Sequence, residues 1–124
     1  MHQFDLKDRT AIITGGAQGF GFNIAKKFLN SGANVIIWDI DEKELQNAVR
    51  EINNQKLTYN LVDVSNFEEV NKAVIEINKS SNIDILVNNA GITGPTAELW
   101  NYSINDWNKV VEINLNGTFN CCKS

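Results

Sequence analysis

The stretch TGGAQGFG, residues 14–21, packs four glycines into eight positions between an apolar run and a helical pattern. Backbone without a Cβ can approach a ligand closely, and a helix N-terminus just beyond it adds N–H donors and a partial positive charge. Such a loop suits a pyrophosphate. Gly15 would permit the tight turn, Gly19 the close approach to the phosphates, and Gly21 the packing of helix on sheet. Gln18 and Phe20 complete the ligand-facing loop. No Lys-Ser or Lys-Thr pair follows, so this is not a P-loop. A plain glycine-rich turn is the alternative, and three further clusters weigh against it. Asp39 stands about twenty residues on, where a carboxylate accepts hydrogen bonds from an adenosine ribose. Asp63 could accept from an adenine amino group with Val64 against the ring, or it could simply cap a helix. Asn88, Asn89, Ala90 and Gly91 form NNAG, whose small residues would admit a second ribose beside a nicotinamide. Asn88 is expected to tie backbone across strands.

Other chemistries lack their parts. His2 is the only histidine, which excludes a histidine-based metal site or a Ser–His–Asp triad. Cys121 and Cys122 are adjacent, a poor geometry for a disulfide, and read as reduced thiols packed as small hydrophobes on a helix. The net charge is −4 with no basic run, so no nucleic-acid partner is expected. The first ten residues lack the length and apolar core of a signal peptide, and no apolar run spans a bilayer. A cytoplasmic protein with no membrane partner is expected.

Four strand–helix units position these clusters. With 124 residues, 43% hydrophobic and 21% charged, one globular domain is expected. RTAIITG (9–15), ANVIIWD (33–39), KLTYNLVDV (56–64) and IDILVNNAG (83–91) read as buried strands. Phe22, Ala25, Phe28 and Leu29 give the first helix its apolar face, and Gly32 stops it. Asp41 with Glu44 opens the second helix, whose face is Leu45, Ala48, Val49 and Ile52. Ser65 with Glu68 opens the third, with Phe67, Val70, Val74 and Ile77. Ser103 with Asp106 opens the last, with Trp107, Val110, Val111, Leu115 and Phe119, and no stop signal follows. Continuous apolar strands imply a parallel sheet covered on both faces. The expected spatial order is 3-2-1-4, with the ligand crevice at the strand ends between strands 1 and 4.

These residues resemble the short-chain dehydrogenase/reductase family. TGGAQGFG fits its TGxxxGxG pattern and NNAG its second signature. Asp63–Val64 and EINLNG (112–117) fall where that family has them, so the likeness runs from residue 9 to the end. It implies an α/β Rossmann-type doubly wound parallel sheet and hydride transfer between a small-molecule alcohol and a ketone on a nicotinamide dinucleotide. Substrates such as a 3-oxoacyl thioester or a sugar or polyol are implied, as is a homo-oligomer, dimer or tetramer, at full length. Asn114 matches the family's helix asparagine, which takes part in a proton relay through a kinked backbone that holds a water. NAD is expected over NADP, because Asp39 would face a 2′-phosphate while Gln18 and Ile40 stand where NADP-preferring relatives place a basic residue. The family's catalytic serine and Tyr-x-x-x-Lys pair have no counterpart: Tyr59 is followed four on by Asp63, and Tyr102 by Asp106. Residues 1–124 are therefore expected to be the N-terminal, dinucleotide-binding part of one longer domain, inactive alone. An NAD(H)-binding sensor without catalysis is the alternative, and a subunit that only pairs through the last helix is a third.

Overall fold

The computed structural model describes residues 4–124, so His2 lies outside the described residues. Strands β1 (Thr10–Thr14), β2 (Asn34–Asp39), β3 (Leu57–Leu61) and β4 (Ile85–Val87) alternate with helices. These are α1 (Gly19–Asn30), α2 (Glu42–Ile52), α3 (Phe67–Asn78) and, after β4 and a 3-10 turn at Leu99–Asn101, α4 (Ile104–Val111). A π turn at Glu112–Asn116 joins α4 to α5 (Gly117–Lys123). All strand pairs are parallel, in the order β3-β2-β1-β4. This is the expected doubly wound sheet.

Strand residues alternate between two cores. Ile13, Val35 and Ile37 join Ala25 and Leu29 of α1 and Leu45 and Ala48 of α2 on one face. Ile12 and Trp38 join Val70 and Val74 of α3 and Cys121 of α5 on the other. The apolar faces read for the first three helices therefore meet the sheet, except that Phe67 of α3 joins neither core. β4 is shorter than the expected 83–91 and only half-buried, because among the described residues it pairs on one side only, with β1.

Two helix readings need correction. The cap of α3 is Asn66, whose Oδ1 accepts from Glu69 N at 3.2 Å, not Ser65 with Glu68. Ser65 is engaged one residue earlier, where its Oγ donates to Asp63 Oδ1 at 2.6 Å. The caps at Asp41 and Ser103 form as expected. The last helical stretch is interrupted by the π turn, and its large apolar stripe does not face the sheet: Trp107, Leu115 and Phe119 are all more than half exposed. Gly117, Asn120 and Cys121 make the contact instead. A Cβ on Gly117 would stand 2.7 Å from Val64 Cγ2, so glycine is what lets the helix come this close. Asn120 Nδ2 then donates to the Val64 carbonyl at 2.9 Å. Both cysteines are free thiols, but only Cys121 is buried; Cys122 is exposed, against the reading of both as buried hydrophobes. Among the described residues no helix is long and apolar enough to cross a membrane.

Candidate functional site

A cleft of about 990 Å³ opens beyond the carboxyl ends of the strands, where parallel α/β sheets bind ligands. Its floor begins at the glycine loop. Gly15 has φ +62° and Gly19 φ +59°, backbone that glycine adopts without penalty. A Cβ on Gly19 would meet nothing within 4 Å, so the loop presents bare backbone to the open cleft. A Cβ on Gly21 would run into the Gly15 carbonyl and come within 2.6 Å of Asn89 Nδ2. Gly21 thus serves the packing of α1 and does not line the cleft.

The start of α1 differs from those of α2, α3 and α4. Asp41, Asn66 and Ser103 cap α2, α3 and α4, and each of those helices carries acidic residues in its first turn. Gln18, at the head of α1, makes no side-chain cap and no acidic residue follows. The N-terminal dipole of α1 therefore faces the cleft with no acidic residue in its own first turn, a fit for the pyrophosphate of a dinucleotide.

Thr14 locks this loop to the end of β4. It is 2% exposed, and its Oγ1 accepts from Asn89 N at 3.0 Å and from Ala90 N at 2.9 Å. Asn89 Nδ2 returns two bonds, to the carbonyls of Thr14 and Gly15, both at 3.1 Å. The cross-strand tie expected of Asn88 thus belongs to Asn89; one residue of register turns Asn88 outward, where its Nδ2 meets Cys122 Sγ at 3.4 Å. Asn89, Ala90 and Gly91 line the cleft, but the Asn89 amide is spent on holding the backbone.

The two aspartates stand at the other end. Asp39 Oδ2 accepts from Ala17 N at 3.3 Å and Oδ1 from Ile40 N at 2.8 Å, which fixes the carboxylate between the glycine loop and the end of β2. Asp63 Oδ1 takes both the amide and the hydroxyl of Ser65, leaving Oδ2 over. Val64 is 7% exposed, wedged under Gly117, and contributes only floor to the cleft. Gln18 and Phe20 line it directly, Phe20 at 85% exposure.

Asn114 sits within the π turn, outside the cleft lining. Its Oδ1 accepts from Ile92 N and its Nδ2 donates to Ile92 O, both at 2.8 Å. This two-point clasp holds the chain just after Gly91. The structure so brings Gly15, Gln18, Gly19, Phe20, Asp39, Asp63, Val64, Asn89, Ala90 and Gly91 to one cleft, with Gly21 and Asn114 supporting it from behind. Sequence reasoning missed Thr14 and the polar wall formed by Asn105, Asn108 and Lys109 of α4 with Glu112 of the π turn. The wall had a signal: those positions follow i, i+3, i+4, i+7.

Fold and cleft together define a doubly wound Rossmann-type α/β domain. A family model described as short chain dehydrogenase matches residues 9–124, and the chain belongs to that family. It is 38% identical over 123 residues to the 3-oxoacyl-[acyl-carrier-protein] reductase FabG of Chlamydia muridarum, covering 96% of this chain and 49% of that protein. It is 31% identical over 124 residues to a 3alpha-hydroxysteroid dehydrogenase of Mediterraneibacter gnavus, covering 96% of this chain and 49% of the relative. The crystal structure of 3-ketoacyl-(acyl-carrier-protein) reductase from Brucella melitensis complexed with NADH superposes with a TM-score of 0.90 at 31% identity, over 96% of this chain and 49% of that one. The chain spans about half the length of the curated relatives it matches.

Proposed function

We propose that this chain supplies the dinucleotide-binding part of an oxidoreductase that interconverts a small-molecule alcohol and its ketone, with NAD(H) held in preference to NADP(H). The observation that carries the reading is the uncapped start of α1 beside a carboxylate, Asp39, already fixed at the end of β2. The N–H groups at Gly19 and beyond would take the pyrophosphate, and Asp39 the adenosine ribose. The spare Oδ2 of Asp63 would take the adenine amino group, with Val64 beneath the ring. Ala90 and Gly91 leave room for the second ribose. Asn114, through its clasp on Ile92, positions that end of the cleft and belongs to the family's proton relay. A bound nicotinamide dinucleotide would supply or accept the hydride. Proton transfer to the substrate oxygen needs a general acid, and residues 1–124 hold no Tyr-x-x-x-Lys pair. By themselves they are expected to bind without turnover. The relatives' names support 3-oxoacyl thioesters or other ring and chain ketones as substrates. The exposed stripe of Ile104, Trp107, Leu115 and Phe119 supports assembly into a homo-oligomer.

Dissociation constants for NADH and NADPH test the reading. A 2′-phosphate ~4 Å from Asp39 would be repelled by ~1–4 kcal/mol at effective dielectrics of 80 to 20. NADH should therefore bind at least about fivefold tighter, and Asp39→Ala should narrow the gap. Equal or tighter NADPH binding overturns the preference.

A further inference from the structure

We propose that the polar face of α4, formed by Asn105, Asn108 and Lys109, is the outer wall of the adenosine end of the cleft and touches the edge of the base. The inference rests on the dinucleotide reading above. α4, the π turn and α5 form one helical rod anchored on the sheet at its α5 end. α5 meets the sheet at Val64, through Gly117 and the Asn120 side chain. From there the rod runs back through the π turn into α4, past the end of β3. In an unbroken α-helix the Gly117 face would continue at steps of three and four to Ile113, Val110 and Asp106. The wider turn at Glu112–Asn116 sets the register back by about one residue. The face then runs through Glu112, Lys109, Asn108 and Asn105. All four line the cleft, together with Ile113 at the turn itself, whereas Val110 and Asp106 do not, and a Cβ on Gly94 would meet Val110 Cγ2 at 2.8 Å.

The chemistry of this wall matches a purine edge. An asparagine amide offers a donor and an acceptor together, the complement of adenine's amino group and ring nitrogen. Among the described residues Lys109 is the one cation lining the cleft, which also carries Asp39, Asp63 and Glu112. Among the described residues the salt bridges are Arg9–Asp84 and Lys79–Glu76, so the Lys109 ammonium is uncommitted. Across from the wall, Asp63 keeps Oδ2 without a hydrogen-bond partner. A base lying over Val64 would have its edge between that oxygen and the α4 amides.

The test compares NAD with 1,N6-etheno-NAD, in which a two-carbon bridge ties the amino group to ring nitrogen N1, removes the donor and widens the edge. The variant is Asn105→Ala combined with Asn108→Ala. Both positions are exposed on a helix and alanine is the better helix former, so the fold is retained. Losing the edge contacts should weaken NAD about fivefold to tenfold. The etheno analogue should bind the variant as well as or better than the unaltered protein, so the preference between the two ligands collapses. If the variant weakens both ligands by the same factor, or neither, the wall does not touch the base edge and the inference falls alone. If the unaltered protein binds neither dinucleotide, the reading of the cleft falls and takes this inference with it.

Discussion

Replacing Thr14 by valine removes one oxygen and almost nothing else. The two side chains have the same shape, both suit a strand, and the site is 2% exposed. What disappears is an acceptor for two amides, Asn89 N at 3.0 Å and Ala90 N at 2.9 Å, and a long bond donated to the Val87 carbonyl at 3.4 Å. Each good bond is worth about 1 kcal/mol net, and each donor left unpaired away from water costs a further ~1–3 kcal/mol at full burial. Both amides are only partly buried, so the lower figure applies to each, giving about 4 kcal/mol. The added methyl returns about 0.8 kcal/mol. The net loss is roughly 3 kcal/mol, a large share of a domain's ~5–15 kcal/mol. At about 4 °C per kcal/mol, a thermal melt should move down by roughly 12 °C. Thr14→Ser keeps the oxygen and loses a methyl, so it should cost only about 1 kcal/mol. The expected order of melting temperatures is native, serine, valine. NADH affinity should follow the same order, since Ala90 and Gly91 line the cleft. A valine variant as stable as the native protein, or more stable than the serine variant, refutes the argument that these hydrogen bonds hold the loop.

Asn120→Leu should lower stability by about 2 kcal/mol in urea melts, because the Val64 carbonyl loses its partner where α5 meets the sheet; an unchanged midpoint would mean that water replaces the amide. Burial, with Cys122 beside it, pushes the Cys121 thiol up to about 11 from 9.0. At pH 8 iodoacetamide should modify the exposed Cys122 well before Cys121, read by peptide mass spectrometry, and equal rates would contradict the packing of α5. The raised folded-state value also means that Cys121 keeps its proton longer folded than unfolded. Its contribution is whole below pH 9 and is lost as pH rises towards 11, by at most about 3 kcal/mol; Cys121→Ala should flatten that alkaline slope. The half-buried β4 edge and the exposed Trp107, Leu115 and Phe119 should drive self-association of residues 1–124. A monodisperse monomer by light scattering, with a melt independent of concentration, would count against it.

The sheet and its order were legible because the signals were local and redundant. Apolar runs ended in glycine or aspartate, and each of the first three helices carried its stripe at helical spacing. The α3 cap slipped by one because Ser65, Asn66 and Asp63 are all capping types, and only the fold decides which oxygen faces which amide. The last helix was read wrongly for a physical reason. Large apolar residues at helical spacing normally mark the core face, but here the sheet contact runs through Gly117 and Asn120, whose smallness and amide allow closer approach than a tryptophan would. The glycine loop, both aspartates and NNAG could be placed from strand ends alone. Thr14 could not, since a threonine that closes an apolar strand looks like any β-former. The α4 wall could be grouped by its i, i+3, i+4, i+7 spacing but not turned towards the cleft, because that depends on a π turn that residue types do not announce.

The lock between Thr14 and the end of β4 also constrains the order of events during synthesis. Its partners lie 75 and 76 residues further along the chain. β1, α1 and β2 can associate as soon as they emerge, since their contacts close short loops. The glycine loop cannot reach its final geometry until Asn89 and Ala90 have left the ribosome and β4 has docked beside β1. Closing so long a loop is slow relative to local contacts, and at roughly 5–20 residues per second the wait lasts several seconds. Throughout that interval the nascent chain carries a formed βαβ unit with an unset phosphate loop, and ligand can capture it only after residue 90. A cofactor that binds the finished loop would thereby pull on the β1–β4 pairing itself, the longest-range strand contact in the described sheet.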